Sequence, residues 1–400
     1  MTHRIVVLGA GYAGLMAAKR TARRLRHTDA RVTLVNAGDR FVERVRLHQL
    51  AAGQRLRDLP LADLLAGTGV ELVPARVTGV DAGARTVRID TAPYVLEYDT
   101  LVYALGSVAE TASVPGAAEH ASAVAGHDDA VRLRGRLASA APDRPVVVVG
   151  GGLTGIELVA ELAEAPGGPR PLLVTGGELG AGLSERGRVR LRLGLDRLGV
   201  PVREHARVVR VGADRLELAD GSDLPAALTV WAAGFGVSPI AAESGLAVDG
   251  RGLITVDDRQ RSTSHPEVYA VGDAAAALGP DGRPSRMSCQ TALPMGFHVA
   301  NGIADLLTGR TPGPLRLRYA WQNISLGRRD GVTQFVRADD TALGAAVLTG
   351  RSSARLKETV TRATVFALRH PGPVPRPRRT GPTHRPEAGT GPAADRESSR

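Results

Sequence analysis

Twice along its length the chain runs from a short, wholly apolar, strand-like stretch through a glycine-rich turn into a helical segment. The first unit reads Ile5-Val6-Val7-Leu8-Gly9-Ala10-Gly11-Tyr12-Ala13-Gly14-Leu15-Met16-Ala17-Ala18, and the second reads Val146-Val147-Val148-Val149-Gly150-Gly151-Gly152-Leu153-Thr154-Gly155-Ile156-Glu157. An apolar run without polar alternation suits a strand buried on both faces, as in a parallel sheet. In such a turn the first glycine (Gly9, Gly150) permits the tight bend. The second (Gly11, Gly152) lets backbone N–H groups approach a pyrophosphate, and the third (Gly14, Gly155) lets the helix pack closely on the strand. The helix N-terminus then favours the phosphates. With 48 glycines in the chain, an isolated G-x-G-x-x-G carries little weight. The strand before it and the helix after it give the motif its meaning. Two such units imply two dinucleotides and an α/β fold with two Rossmann-like domains.

The strand after each unit ends where a dinucleotide fold usually carries Asp or Glu for the adenosine ribose. Arg31-Val32-Thr33-Leu34-Val35 ends at Asn36, which can hydrogen-bond a diol without charge or cap a turn. Pro171-Leu172-Leu173-Val174 ends at Thr175-Gly176-Gly177-Glu178, with neither the acid expected for NAD nor an Arg for the NADP phosphate at the tip. Glu178 reaches a ribose only if the loop folds back; otherwise it is a solvent-exposed loop residue. The choice between NADH and NADPH stays open.

Composition removes several other classes. At 43% hydrophobic and 23% charged, the 400 residues are ordinary globular material, enough for two or three domains. No apolar stretch approaches the roughly 18–20 residues of a bilayer-spanning helix. The start, Met1-Thr2-His3-Arg4 followed at once by a strand, lacks a secretion signal, so a cytoplasmic location is expected. The single cysteine, Cys289, excludes an intramolecular disulfide or redox-active dithiol, and no metal site is indicated. Cys289 reads as a small buried hydrophobe. The net charge of +10 comes almost wholly from Arg, with Lys19 and Lys357 the two lysines, and reflects composition rather than a nucleic-acid surface. Residues 371–400, rich in Pro, Arg, Thr and Gly, read as a disordered tail.

Between and after the glycine units stand Tyr98-Asp99-Thr100-Leu101-Val102-Tyr103-Ala104-Leu105-Gly106-Ser107, Thr229-Val230-Trp231-Ala232-Ala233-Gly234-Phe235, and Val268-Tyr269-Ala270-Val271-Gly272-Asp273-Ala274-Ala275. In this order, over about residues 4–330, the motifs resemble those of the pyridine nucleotide-disulfide oxidoreductase superfamily of two-dinucleotide flavoproteins. Thr154-Gly155-Ile156-Glu157, Val230–Phe235 and Ile324-Ser325-Leu326-Gly327-Arg328-Arg329-Asp330 look most like the type II NADH dehydrogenases. The resemblance implies that the first glycine unit, with Ala10, Tyr12 and Ala13, holds the FAD pyrophosphate. It implies that Gly272-Asp273 brings a carboxylate to the ribityl hydroxyls, where it can accept two hydrogen bonds; the bare alternative is an N-cap Asp. On the same basis the strand Val70–Val77 meets adenine through the main chain of Val77, and Ala104, Leu105, Gly106 and Gly234 also lie at cofactors. Glu157 corresponds to the family glutamate near nicotinamide and flavin, orienting a carboxamide or relaying protons, against the plainer reading of a first-turn Glu.

Two departures concern the acceptor. The family shows Ala-Gln-x-Ala-x-Gln on the helix under the flavin, whereas this chain has Cys289-Gln290-Thr291-Ala292-Leu293-Pro294. Gln290 and Ala292 remain at the cofactor, while Pro294 replaces the second Gln and suits a shortened or shifted helix. In the loop Phe41–Leu50, His48 takes roughly the position of a family Tyr, with Arg44 and Arg46 adding positive charge. An ordinary pKa near 6.5 would let His48 donate a proton to a reduced acceptor; a structural hydrogen bond is the alternative.

These readings combine into an FAD-dependent NAD(P)H oxidoreductase. An FAD-binding domain of residues 1–113 and 246–312 is interrupted by an NAD(P)-binding domain of 114–245, followed by a C-terminal region of 313–370. Hydride passes from NADH or NADPH to FAD, and electrons pass to a quinone or other small acceptor. A soluble small-molecule dehydrogenase or reductase is the alternative enzyme, and a basic flavoprotein with a nucleic-acid-binding or signalling role is a third reading. The resemblance is compatible with a homodimer and a peripheral contact with the cytoplasmic membrane. The helix of about Ser353–Arg369 has a mixed face better suited to packing on the FAD domain than to lying on a membrane.

Overall fold

A computed structural model describes residues 2–372. The first glycine unit lies at the centre of a five-stranded, all-parallel sheet in the order Val268–Ala270, Thr100–Tyr103, His3–Leu8, Ala30–Asn36, Val70–Pro74. Its apolar strand is covered on both faces, and Ile5, Val7 and Leu8 have no exposed surface. The second unit is central in an equivalent parallel sheet, ordered Val202–Arg203, Pro171–Val174, Val146–Val149, Leu228–Trp231, Ala121–Ala123. All the strands of this second sheet come from residues 121–231, while the first sheet takes strands from either side of that stretch. The two crossings pair with one another as a short antiparallel ribbon, Val108–Ala109 against Phe235–Gly236.

Small residues bring the helices at the first turn together. The helix Tyr12–Leu25 packs against the long helix Cys289–Leu307, and at their crossing a Cβ on Gly296 would stand 2.2 Å from the Ala13 carbonyl oxygen. Close approach here delivers the N-terminal end of the long helix to the first glycine turn. That helix is neither shortened nor shifted by Pro294, contrary to expectation: it runs for 19 residues with Pro294 inside it. Without an N–H at 294, the Gln290 carbonyl lacks its usual partner within the helix.

The strand expected over Val70–Val77 is two strands. The first stops at Pro74, which has no N–H to continue the ladder, and Ala75 donates to the Asn36 carbonyl (2.9 Å). Val77 opens a separate three-stranded antiparallel sheet with Thr86–Ile89 and Val95–Glu97.

At the C-terminal end Trp321–Ser325, Gly331–Val336 and Ala342–Thr349 form an antiparallel sheet, followed by the helix Gly350–Arg369. Val365 and Leu368 of this helix join the core around the first sheet. Its buried face also carries Thr361 and Thr364, whose hydroxyls donate to the carbonyls of Lys357 and Val360 (2.9 Å each). Threonines that dilute an apolar stripe in sequence are thus buried at little cost by bonding back to the helix. Arg46 forms a paired contact with Glu358 (2.9 and 3.0 Å), fastening the helix to the segment before Leu47. Residues 373–400, most of the expected tail, lie outside the described residues; Pro371 is buried, and its carbonyl accepts from Arg20 at 2.5 Å. Among the described residues no helix is long and apolar enough to cross a membrane.

A second core gathers around the second sheet, and it includes Leu47, Leu50 and Ala51. These belong to a short helix, Leu47–Ala51, that precedes the second sheet in sequence and packs against the helices His127–Ala138 and Leu153–Glu164.

Candidate active site

The two glycine turns repeat one geometry. Gly9 has φ +94° and Gly150 φ +125°, a region that favours glycine. Their N–H groups donate to Val35 and Val174 on the neighbouring strands, 2.8 Å in both cases. A Cβ at Gly14 would meet the Gly9 carbonyl oxygen at 1.9 Å, and at Gly155 the Gly150 oxygen at 2.0 Å. At Gly11 and Gly152 a Cβ would meet nothing within 4 Å. Those two residues are the N-caps of helices 14 and 12 residues long, and neither cap supplies a side-chain acceptor. Each helix therefore presents uncapped N–H groups and a positive dipole end to the open side of the turn, the combination that binds a phosphate.

That open side is one continuous cavity of about 870 Å³, lined at once by both turns. Of the residues singled out in sequence, Gly11, Tyr12, Ala13, His48, Ala104, Gly106, Gly150, Gly151, Gly152, Thr154, Glu157, Gly234, Gly272, Asp273, Gln290 and Ala292 line it. Gly9, Ala10, Gly14, Leu105 and Gly155 are not among its lining residues. Asn36 and Val77 do not reach it. The Asn36 side chain accepts from the Ala10 N–H (2.9 Å) and donates to the Gly38 carbonyl (2.8 Å), so it braces the first turn, the capping alternative open in sequence. Val77 is buried at the start of its separate sheet. Glu178 does not fold back; it faces Arg188 (3.4 Å) and Arg192 (3.7 Å).

Near the first turn, Asp273 accepts from the Ser107 hydroxyl (2.6 Å) and faces Arg44 (3.5 Å), all through Oδ2. Oδ1 carries no bond among the described residues. The positive charge noted in the Phe41–Leu50 segment thus has a specific use in Arg44, which lines the cavity beside Gly106.

Where the two turns meet, four elements converge on Glu157. Its Oε1 accepts from the Lys357 ammonium and the Ser325 N–H (3.1 Å), and Lys357 also donates to the Ser325 hydroxyl (3.2 Å). His48 Nδ1 lies 3.5 Å from Glu157 Oε2, and Nε2 lies 4.0 Å from Glu161. His48 is 3% exposed within the short helix Leu47–Ala51, not on a loop. Burial, then the cations Lys357, Arg328 and Arg46, push its pKa well below 6.5. His48 is consequently neutral at neutral pH, which overturns the expectation that it titrates there. Burial likewise pushes the neighbouring Glu161 carboxyl up, against the pull of Arg328.

Lys357 is the residue that sequence reading missed. One signal was present, since it is one of two lysines in a chain that otherwise uses Arg, but nothing local linked it to Glu157. Trp321, Gln322 and Asn323 also line the cavity without a motif to announce them. The Trp321 Nε1, Asn323 Oδ1 and His48 Nε2 atoms are buried without hydrogen-bond partners, an arrangement that a bound molecule or water would relieve. Cys289 is only partly buried and forms cavity wall, with burial pushing its thiol pKa up; it is not simply a core hydrophobe.

Comparison with known proteins agrees with this geometry. Residues 3–296 match the family model of pyridine nucleotide-disulphide oxidoreductases. A NADH dehydrogenase-like protein of Mycobacterium tuberculosis is 34% identical over 94% of this chain and its own full length. A type II NADH:quinone oxidoreductase of Staphylococcus haemolyticus is 27% identical, over 91% of this chain and 96% of its own. In fold, the structure of NDH2 from Plasmodium falciparum in complex with NADH superposes with a TM-score of 0.77 at 16% identity, covering 92% of this chain and 97% of that one. With two glycine turns opening on one cavity and a family model matched across both, the chain belongs to the pyridine nucleotide-disulphide oxidoreductase family.

Proposed function

We propose that the protein is an FAD-dependent oxidoreductase that takes hydride from NADH or NADPH and passes electrons to a quinone or another small acceptor. The observation that carries this reading is the single cavity shared by the two glycine turns, with Glu157 and Lys357 at their junction. Its volume of about 870 Å³ lies toward the upper end of the range for ligand pockets, about 300–1,000 Å³.

The residues of the first half fit FAD. Gly11 leaves the turn open for a diphosphate at a helix N-terminus, and Asp273 keeps Oδ1 for a ribityl hydroxyl while Ser107 and Arg44 hold Oδ2. When bound, the flavin supplies the chemistry of hydride acceptance and electron release. The chain supplies position and charge. Gly152 and the helix behind it would hold the diphosphate of the second dinucleotide. Lys357 keeps a cation and a proton beside the cavity, favouring negative charge added there. Glu157, fixed by the Ser325 N–H, orients Lys357 and presents an acceptor for a carboxamide. Neutral His48 stands beside Glu157 in the cavity wall, its Nδ1 3.5 Å from Oε2.

Quinone as acceptor draws support from the Staphylococcus relative named for that activity. A soluble acceptor is the second reading, favoured by Pro294 in place of the second Gln. Anaerobic mixing with NADH or NADPH should bleach the flavin absorbance, and a quinone and a soluble dye added in parallel should then divide the two readings. Reoxidation by quinone alone supports the first, reoxidation by the dye alone supports the second, and a flavin that neither dinucleotide bleaches overturns both.

A further inference from the structure

We infer that the second nucleotide site is built for the 2′-phosphorylated dinucleotide, NADPH, with the phosphate seated between the Gly176-Gly177 tip and the Arg207 guanidinium. The inference rests on the reading above that the second glycine turn takes a nicotinamide dinucleotide.

Thr175 stands where Asn36 stands in the first unit, one residue beyond the strand position that accepts from the first glycine of the turn. An acid at this tip would hold the ribose hydroxyls and repel a 2′-phosphate. Here the tip is Thr175, which lines the cavity with Gly176, followed by a glycine pair that leaves a notch. A Cβ on Gly177 would meet nothing within 4 Å, and one on Gly176 would meet only Arg207 Cα and Cβ, both at 3.8 Å. The nearby carboxylates are committed elsewhere. Glu178 faces Arg188 and Arg192, and Glu204 accepts from the Leu179 N–H (2.5 Å) and from Arg192 (2.7 and 3.0 Å).

The cation comes from a different segment, which is why the tip sequence gave no sign of it. The connection after the strand Val202–Arg203 is laced onto the tip: Ala206 N–H donates to the Thr175 carbonyl (2.9 Å) and His205 N–H to the Gly177 carbonyl (3.4 Å). This lacing brings Arg207 to the wall of the notch with His205 beside it. Arg207 is exposed and, among the described residues, makes no ion pair or side-chain hydrogen bond. Arg207 Cα and Cβ border a glycine-lined notch with no acid at its tip, and a planar guanidinium with free donors carried from that position matches a phosphate monoester in charge and geometry. The preference then has two parts, an attraction supplied by Arg207 and a repulsion that the missing acid fails to supply.

Calorimetric titration of the purified holoprotein with 2′,5′-ADP and with 5′-AMP tests this directly. The phosphorylated fragment should bind at least about tenfold tighter, the scale of one charge-assisted contact, with the gap narrowing as salt is raised. Arg207→Ala should weaken 2′,5′-ADP by about tenfold, leave 5′-AMP unchanged, and lower kcat/KM for NADPH relative to NADH. Gly176→Asp, whose Cβ has room, should turn the preference toward NADH. Equal affinity of the two fragments for the unmodified protein, or equal weakening of both by Arg207→Ala, overturns the inference. If NADH bleaches the flavin and NADPH does not, the inference falls while the oxidoreductase reading stands. If neither fragment binds and neither dinucleotide bleaches the flavin, both fall.

Discussion

Gly11 and Gly14 share one turn, yet a side chain would act oppositely at the two. At Gly14 a Cβ collides with the Gly9 carbonyl and would break the turn itself, whereas at Gly11 it enters open space that a diphosphate needs. The same contrast holds for Gly155 and Gly152 in the second turn. Valine at Gly11 or Gly152 therefore separates binding from folding. Gly11→Val should fold with unchanged far-UV circular dichroism but purify without flavin colour. Gly152→Val should purify yellow and resist anaerobic bleaching by either dinucleotide. A yellow Gly11→Val protein, or ordinary bleaching of Gly152→Val, would remove the assignment of the corresponding turn. Each turn was readable because everything it needs is within a few consecutive residues. The Glu157–Lys357 pair was not, because its partners lie 200 residues apart.

Among the elements, the helix Cys289–Leu307 carries the least expected detail. It tolerates Pro294, which is exposed, and goes on for several further turns on the strength of its buried face, including Met295, Gly296, Val299 and Ile303. Pro294→Ala should restore the bond to the Gln290 carbonyl, worth about 1 kcal/mol, and raise Tm by about 2–4 °C on the scale of a 150–250-residue domain. An unchanged or lower Tm in thermal melting would mean that the freed carbonyl costs the helix nothing. Sequence reading went wrong at this element because it weighed proline's local effect without the packing that overrides it. The strand expected to run through Val77 failed for the opposite reason, since Pro74 ends the ladder and a turn carries the chain into another sheet. Asn36 ends its strand as expected and Glu178 lies in the loop beyond Val174, but which group each side chain meets depends on neighbours outside the strand. For the C-terminal helix, reading threonine as polar missed that its hydroxyl can be satisfied by its own helix.

At the scale of the molecule, acid sensitivity follows from the buried histidine. His48 stays neutral in the folded protein to well below pH 6.5, whereas the unfolded chain takes up a proton near 6.5. Between those two values the unfolded state binds more protons, so stability should fall as pH drops below about 6.5. His298, also lowered by burial, acts in the same sense, while the buried Glu161 carboxyl, pushed up, acts in the opposite one. Glu358, held down to about 2 chiefly by Arg46, contributes stability above its ordinary 4.5 that is lost only as pH falls from there toward 2. Melting curves from pH 7 to 5 should therefore show a declining Tm, with a shallower slope in His48→Asn; parallel slopes would count against His48 as the source. The short helix that carries His48 has a further effect. Because Leu47, Leu50 and Ala51 complete the core of the second sheet from a position upstream of it, residues 114–245 are not an interchangeable cassette. A chimera that replaces that stretch with a homologue's must carry over the Leu47–Ala51 seat as well, or be left with an apolar plug that has no socket.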